Sequence, residues 1–337
     1  MTGRDAEIRR FLKGAGWGAA RRDKLADDAS FRCYWRLDRD GEKAVLMDAP
    51  PPEDVRPFDR VARLLLQMGL SAPRPLAVDA EAGFMLLEDL GDATFTRVLA
   101  NGGDEAALYR LAIDTLLALH RSWSSATPKD AGLPHYDETR LLNEALLLPD
   151  WFLPALRGRD TDAASREAYI EAWRAVLPCA GRLPETLVLR DYHVDNLLVL
   201  DGREGIDSCG LLDFQDAVLG SPAYDLVSLL EDARRDVPPE LAEEMFERYL
   251  AANPGLARET LRTAMAVLGA QRHAKIVGIF TRLDRRDGKP QYLGHIPRVW
   301  RLLEADLRHP ALKPVRDWFD REVPAAERTA PPQGSKA

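Results

Sequence analysis

The sequence predicts an α+β protein of two lobes, a small antiparallel-sheet lobe followed by a larger and mostly helical one. Two observations carry this. Short runs of strand formers crowd the first part of the chain: Phe31-Arg32-Cys33-Tyr34-Trp35-Arg36-Leu37, Ala44-Val45-Leu46-Met47, Arg74–Val78 and Phe84–Leu87. Asp38-Arg39-Asp40-Gly41 supplies hairpin-turn chemistry between the first two. After Glu88-Asp89-Leu90-Gly91 the pattern changes to helical periodicity, which places the lobe boundary between residues 88 and 89. The second lobe then runs over 89–323. The remainder, 324–337, carries Pro, Gly and Ser without periodicity and is expected to be disordered.

Each element has a local reason. Asp5–Ala15 reads as a short amphipathic helix stopped by Gly14 and Gly16. Ala26-Asp27-Asp28-Ala29-Ser30 is a small polar loop of a kind that folds over a nucleotide, although it lacks Gly-x-Gly-x-x-Gly. Pro50-Pro51-Pro52 breaks the chain before a helix over Asp54–Met68, whose apolar positions are Val61, Leu64, Leu65 and Met68. Further helices are expected near Asp104–Ser125, Thr139–Leu148, Ala163–Val176, Tyr224–Arg234 and Pro239–Ala251. The last ones fall near Ala257–Leu283, Ile296–Leu307 and Pro314–Arg321.

Composition narrows the function classes. A chain of 337 residues is long enough for two cores. With 30% charged and 46% hydrophobic residues it is neither a disordered nor a membrane chain. A net charge of −8 argues against nucleic acid as the main partner. Cys33, Cys179 and Cys209 lack metal-site spacing and read as reduced packing thiols of a cytoplasmic protein. The first residues form a charged helix and not a signal peptide, and no apolar run reaches membrane length. A monomer is expected.

The stretch that carries chemistry is Thr186–Leu200. Leu187-Val188-Leu189 delivers Arg190-Asp191 into a short polar loop, Asn196 follows five residues later, and Leu197–Leu200 leaves it. A third apolar run, Cys209–Leu212, ends on Asp213-Phe214-Gln215. Two hairpin-like strands thus aim an acid, an amide and a second acid at one edge. Phosphoryl transfer needs that set: a carboxylate to take a hydroxyl proton, and an Asn and Asp to hold Mg²⁺ on nucleotide phosphates. Asp-x4-Asn alone is weak, and a lone loop aspartate is usually a turn residue. The order strand, Arg-Asp, Asn, strand, strand, Asp-Phe, helix is what gives the pattern weight.

Taken together, Met85-Leu86-Leu87-Glu88-Asp89-Leu90-Gly91, the RDYHVDN loop and LDFQDAVLGSPAYDL resemble the aminoglycoside phosphotransferase family. That resemblance implies a protein-kinase-like fold with ATP and Mg²⁺ as cofactors. The segments Asp28–Arg32, Met47–Pro51, Gly269–His273, Gly278–Phe280 and Arg286–Lys289 look closer to bacterial amino-sugar kinases of cell-wall recycling. Those kinases phosphorylate N-acetylmuramate and N-acetylglucosamine at the anomeric hydroxyl. Carried over, Asp191 matches the catalytic base, Asn196 and Asp213 the metal ligands, and Asp225 a structural aspartate beneath the loop. Ser30, Phe31 and Arg32 match the nucleotide loop, and the hinge from Glu88 to Leu90 offers main-chain groups to adenine. One departure stands out: the strand Lys43–Met47 lacks the expected central lysine, for which Lys43, Arg32 or Arg36 are the substitutes at hand.

For the acceptor, Glu144 and Trp151 flank an apolar helix row, with Trp151 as a candidate sugar platform. Arg272 and Lys275 share a helix face and are either solvated or paired with carboxylates, or else one of them is turned to a sugar oxygen or a sugar carboxylate. His120 reads as a packed histidine. A kinase for another acceptor (an aminoglycoside, choline or an amino acid) and a nucleotide-binding pseudokinase remain as alternatives.

Overall fold

A computed structural model describes residues 3–27, 32–126 and 132–334. The chain divides into two compact units, Met1–Pro128 with His193–Ala217, and Lys129–Tyr192 with Val218–Ala337. In chain order the first elements are α1 (Gly3–Gly14), β1 (Arg21–Asp27), β2 (Cys33–Arg39), β3 (Glu42–Asp48) and α2 (Arg56–Gln67). Then come β4 (Pro75–Asp79), β5 (Phe84–Glu88), α3 (Phe95–Ala100), α4 (Glu105–Ala126) and α5 (Glu138–Ala145). A π-helical turn over Leu148–Phe152 leads to α6 (Leu153–Arg157), α7 (Ala163–Val176) and β6 (Thr186–Val188). Next are β7 (Leu197–Val199), β8 (Cys209–Leu211), β9 (Val218–Gly220) and α8 (Ala223–Leu230). The chain ends with α9 (Pro239–Ala251), α10 (Arg258–Asp287), α11 (Ile296–Asp306) and α12 (Lys313–Glu322).

The first unit is built on an antiparallel sheet in the order β1-β2-β3-β5-β4. Alternation gives it two faces. Leu37, Ala44, Leu46, Phe84 and Leu86 pack against Ile8, Leu12 and Trp17 of the α1 region. Arg36, Val45 and Leu87 stand in register across the other face. Arg4 fastens α1 to the sheet through Asp48 and the Ala82 carbonyl. β1 is not legible in the sequence: RRDKLAD is nearly all polar, and as the edge strand it leaves Leu25 exposed. The compact division does not fall at Glu88. Thr96 N–H bonds to Val194 O and Val199 N–H to Ala93 O, which ties the segment after β5 to the β7–β8 hairpin.

In the second unit α10 is the axis. Most of its thirty residues are buried, so no single apolar stripe marks it out. At Gly278 it meets the approach to the π-turn so closely that a Cβ would lie 2.3 Å from the Leu147 carbonyl carbon. Tyr169, Trp173, Trp318 and Phe319 pack as a chain of aromatic contacts that joins α7 to α12. β6 pairs with β9 and not with the strand that follows the polar loop, so the expected pair of hairpin-like strands is replaced by β6–β9 and β7–β8.

The tail also differs from expectation. Over 324–334 it is held in place: Arg328 bonds Glu304 at 3.1 Å and Asp320 at 2.7 Å, and Gly334 N–H donates to Asp284 at 2.8 Å. Composition reports poor periodicity but not these anchors. Among the described residues no helix is long and apolar enough to cross a membrane.

Gly278→Ala reads the α10 contact directly. In an open helix that change gains up to about 1 kcal/mol. Here the Leu147 backbone blocks the methyl, and a loss of about 1–3 kcal/mol is expected in urea unfolding. A stabilised variant would contradict the close approach.

Candidate active site

The first unit contains a cavity of about 800 Å³. Val45, Leu87, Leu198 and Leu212 give it apolar walls, and Glu88 to Asp92 form one rim. Its polar groups include Asn196 and Asp213. β7 and β8 place them: Leu212 N–H donates to the Asn196 carbonyl at 2.9 Å, which locks the two segments together. Asn196 Nδ2 lies 3.4 Å from Asp213 Oδ2, and Gln215 Nε2 donates to Asp213 Oδ1 at 2.8 Å. Asp213 itself adopts a left-handed backbone (φ 58°), a conformation that costs a non-glycine residue roughly 1–3 kcal/mol. The fully buried ring of Phe214 packs on Phe58 of α2, centroids 4.8 Å apart, and holds that turn in place.

The cation on this wall comes from β2. Arg36 lines the cavity and grips Asp89 (2.6 and 3.1 Å) and Asp92 (2.6 and 3.1 Å). The hydrogen bonds it donates to Asp92 and Asp89 raise its pKa further, and Asp92 is lowered in return. Lys43 is exposed at the start of β3. Arg32 is paired with Glu53 at 2.9 Å and does not line the cavity, whereas Glu88 and Leu90 do. Ser30 and Phe31 lie outside the described residues.

The second unit carries Asp191 on the turn that follows β6. Arg190 is left-handed (φ 71°), and the turn is fixed from beneath by Asp225. This fully buried carboxylate accepts Leu189 N–H at 2.7 Å and Arg190 N–H at 2.8 Å. Burial pushes its pKa up to about 7, against the pull of those two bonds. Arg272 of α10 places Nη1 3.7 Å from Asp191 Oδ1 and 3.2 Å from the Arg190 carbonyl. Its Nε is buried without a hydrogen-bond partner. Glu144 binds the Arg190 guanidinium, the Tyr136 hydroxyl, and Lys275 Nζ at 3.0 Å. Burial alone would raise Glu144, but Lys275 and Arg190 outweigh it and hold the carboxyl below its usual range.

Arg272 and Lys275 are therefore not solvated: both are buried and each faces a carboxylate, Asp191 and Glu144 respectively. Trp151 does not join this network. It is half-buried on the π-turn, next to an Asp150 held by Arg166 at 2.8 Å. The sequence reading missed Arg190 and Tyr136 as members of the site. For Arg190 its place beside Asp191 was the signal, and for Tyr136 there was none.

A sequence model described as the phosphotransferase enzyme family matches residues 23–262. The chain belongs to that family. Two relatives named N-acetylmuramate/N-acetylglucosamine kinase resemble this phosphotransferase over most of its length. The one from Caulobacter vibrioides is 40% identical, covering 96% of this chain and 98% of the relative. The one from Pseudomonas aeruginosa is 38% identical, covering 91% of each. Among solved structures, the GDP complex of aminoglycoside 2'-phosphotransferase-IIIa superposes with a TM-score of 0.62 at 16% identity. It covers 90% of this chain and 98% of that one. The phosphotransferase therefore has the kinase-like α+β fold and is an enzyme of the kinase class.

The buried acid beneath Asp191 gives a pH test. Because the folded chain holds Asp225 at about 7 against an ordinary 3.8, it keeps a proton that the unfolded chain releases. That contribution to stability is complete below about pH 4 and is lost as pH rises through 7. Asp225→Asn should remove this downward slope from the stability–pH curve, measured by urea unfolding between those limits. It should also lower turnover, since Leu189 N–H and Arg190 N–H bond different oxygens of Asp225 and the amide leaves only one of them an acceptor.

Proposed function

We propose that this phosphotransferase uses Mg·ATP to phosphorylate the anomeric hydroxyl of N-acetylmuramate and N-acetylglucosamine, cytoplasmic sugars of cell-wall recycling. The acceptor assignment rests on the relatives that share 36–40% identity and bear those sugars in their names. One local observation supports it over cationic acceptors. Arg190, Arg272 and Lys275 crowd the surroundings of Asp191, and Glu144 is already committed to two of them. That environment suits a neutral or anionic sugar better than an aminoglycoside.

In this reading the main chain from Glu88 to Leu90 receives the base, with Val45, Leu87 and Leu198 against its faces. Asn196 and Asp213 present oxygen donors, the ligand chemistry Mg²⁺ prefers, and would hold the ion. When bound, it neutralises charge on the phosphates. Asp191 orients the acceptor hydroxyl and takes its proton, while the γ-phosphoryl group transfers in line. Arg272 fixes the Asp191 carboxylate and offers its buried Nε–H to a sugar or phosphoryl oxygen.

The experiment is ADP release across N-acetylmuramate, N-acetylglucosamine, aminoglycosides and choline, with phosphorus NMR of the product. An anomeric phosphate on the amino sugars is expected, and turnover on choline or an aminoglycoside alone would overturn the assignment. Asp191→Asn should keep Mg·ATP binding in calorimetry while turnover falls by about 10² or more. Asp213→Asn should lose both. Arg272→Met should lower kcat for both sugars by about tenfold or more, since its partner is Asp191. A rise in KM confined to N-acetylmuramate would instead place Arg272 on the lactyl carboxylate.

A further inference from the structure

Among the described residues one group of histidine and carboxylate side chains brings three donor atoms within 4.8 Å of one another: Glu231, His273 and Asp306. They come from three elements. Glu231 follows the last residue of α8, His273 lies mid-way along α10, and Asp306 ends α11. His273 is fully buried, with Nδ1 2.8 Å from Asp306 Oδ2 and Nε2 3.8 Å from Glu231 Oε2.

Two further facts bear on what this cluster is for. Glu231 Oε2 is buried and receives no hydrogen bond from a permanent donor; the neighbour of the Glu231 carboxyl is the Asp306 carboxyl, with which it can bond only through a shared proton or cation. Gly269, one turn before His273 on α10, keeps the space beside these oxygens open. A Cβ there would stand 2.8 and 2.9 Å from the two Asp306 oxygens and 2.9 Å from Glu231 Oε2. Any other residue would crowd both carboxylates.

We propose that Glu231, His273 and Asp306 form a buried site for one divalent transition-metal ion, a structural centre that ties the ends of α8 and α11 to α10. An imidazole nitrogen with two carboxylates suits Zn²⁺ or Mn²⁺, whereas Mg²⁺ and Ca²⁺ favour oxygen donors throughout. The competing occupant is the proton.

The test is equilibrium dialysis of the full chain against Zn²⁺ with Mg²⁺ in large excess, so that oxygen-donor sites are filled. The expected result is one tightly held Zn²⁺ per chain, a higher Tm, and proton release on binding. Glu231→Gln and Asp306→Asn, near-isosteric changes checked for folding by circular dichroism, should each weaken Zn²⁺ binding at least about tenfold. Uptake that is absent, or unchanged in both variants, overturns the site and leaves a proton-sharing cluster. Should a variant not fold, Co²⁺ added to the unaltered chain decides: visible d–d absorption supports the site, and its absence overturns it. None of these measurements reads turnover, so they stand or fall apart from the acceptor assignment.

Discussion

The chemistry of the second unit depends on one buried carboxylate. Asp225 takes the N–H groups of two consecutive residues, Leu189 and Arg190, at 2.7 and 2.8 Å. Two adjacent amides point the same way only where the backbone turns sharply, and Arg190 meets that demand with φ 71°. The strained turn is what swings Asp191 away from the line of β6. It persists because the acid beneath it would lose two partners if the backbone relaxed, and an unpaired buried carboxylate is costlier than the strain. Arg272 then bonds the carbonyl of the same turn, and Glu144 holds the side chain of Arg190. Each later contact presupposes the first.

The cavity of the first unit is organised by a different residue. β3 presents Val45 to it, and Arg36 on β2 stands directly across from Val45. Its forked guanidinium spans two carboxylates of the rim, Asp89 and Asp92, which a point-like ammonium does less well. Arg36 therefore organises the segment expected to meet the base.

Much of this was legible in the sequence, for reasons that differ by residue. α7 and α9 fall where periodicity placed them, since each buries one regular stripe. Asp191, Asn196, Asp213 and Asp225 stand out in the sequence because their order along the chain is itself the signal. The pairing of Glu144 with Arg190 and Lys275 does not, because the partners sit on separate helices and loops far apart in sequence and nothing local records the contact. β1 escaped notice because an edge strand needs no apolar alternation, and the 324–334 segment because Arg328 anchors it by charge and not by burial of an apolar stripe.

Every described residue that lines the 800 Å³ cavity belongs to the first compact unit, and Asp191 with its supporting acids and bases belongs to the second. That partition bears on selective inhibition. A compound that fills the cavity would contact residues of the first unit alone, whereas one aimed at the Glu144–Arg190–Lys275 grouping would contact the second.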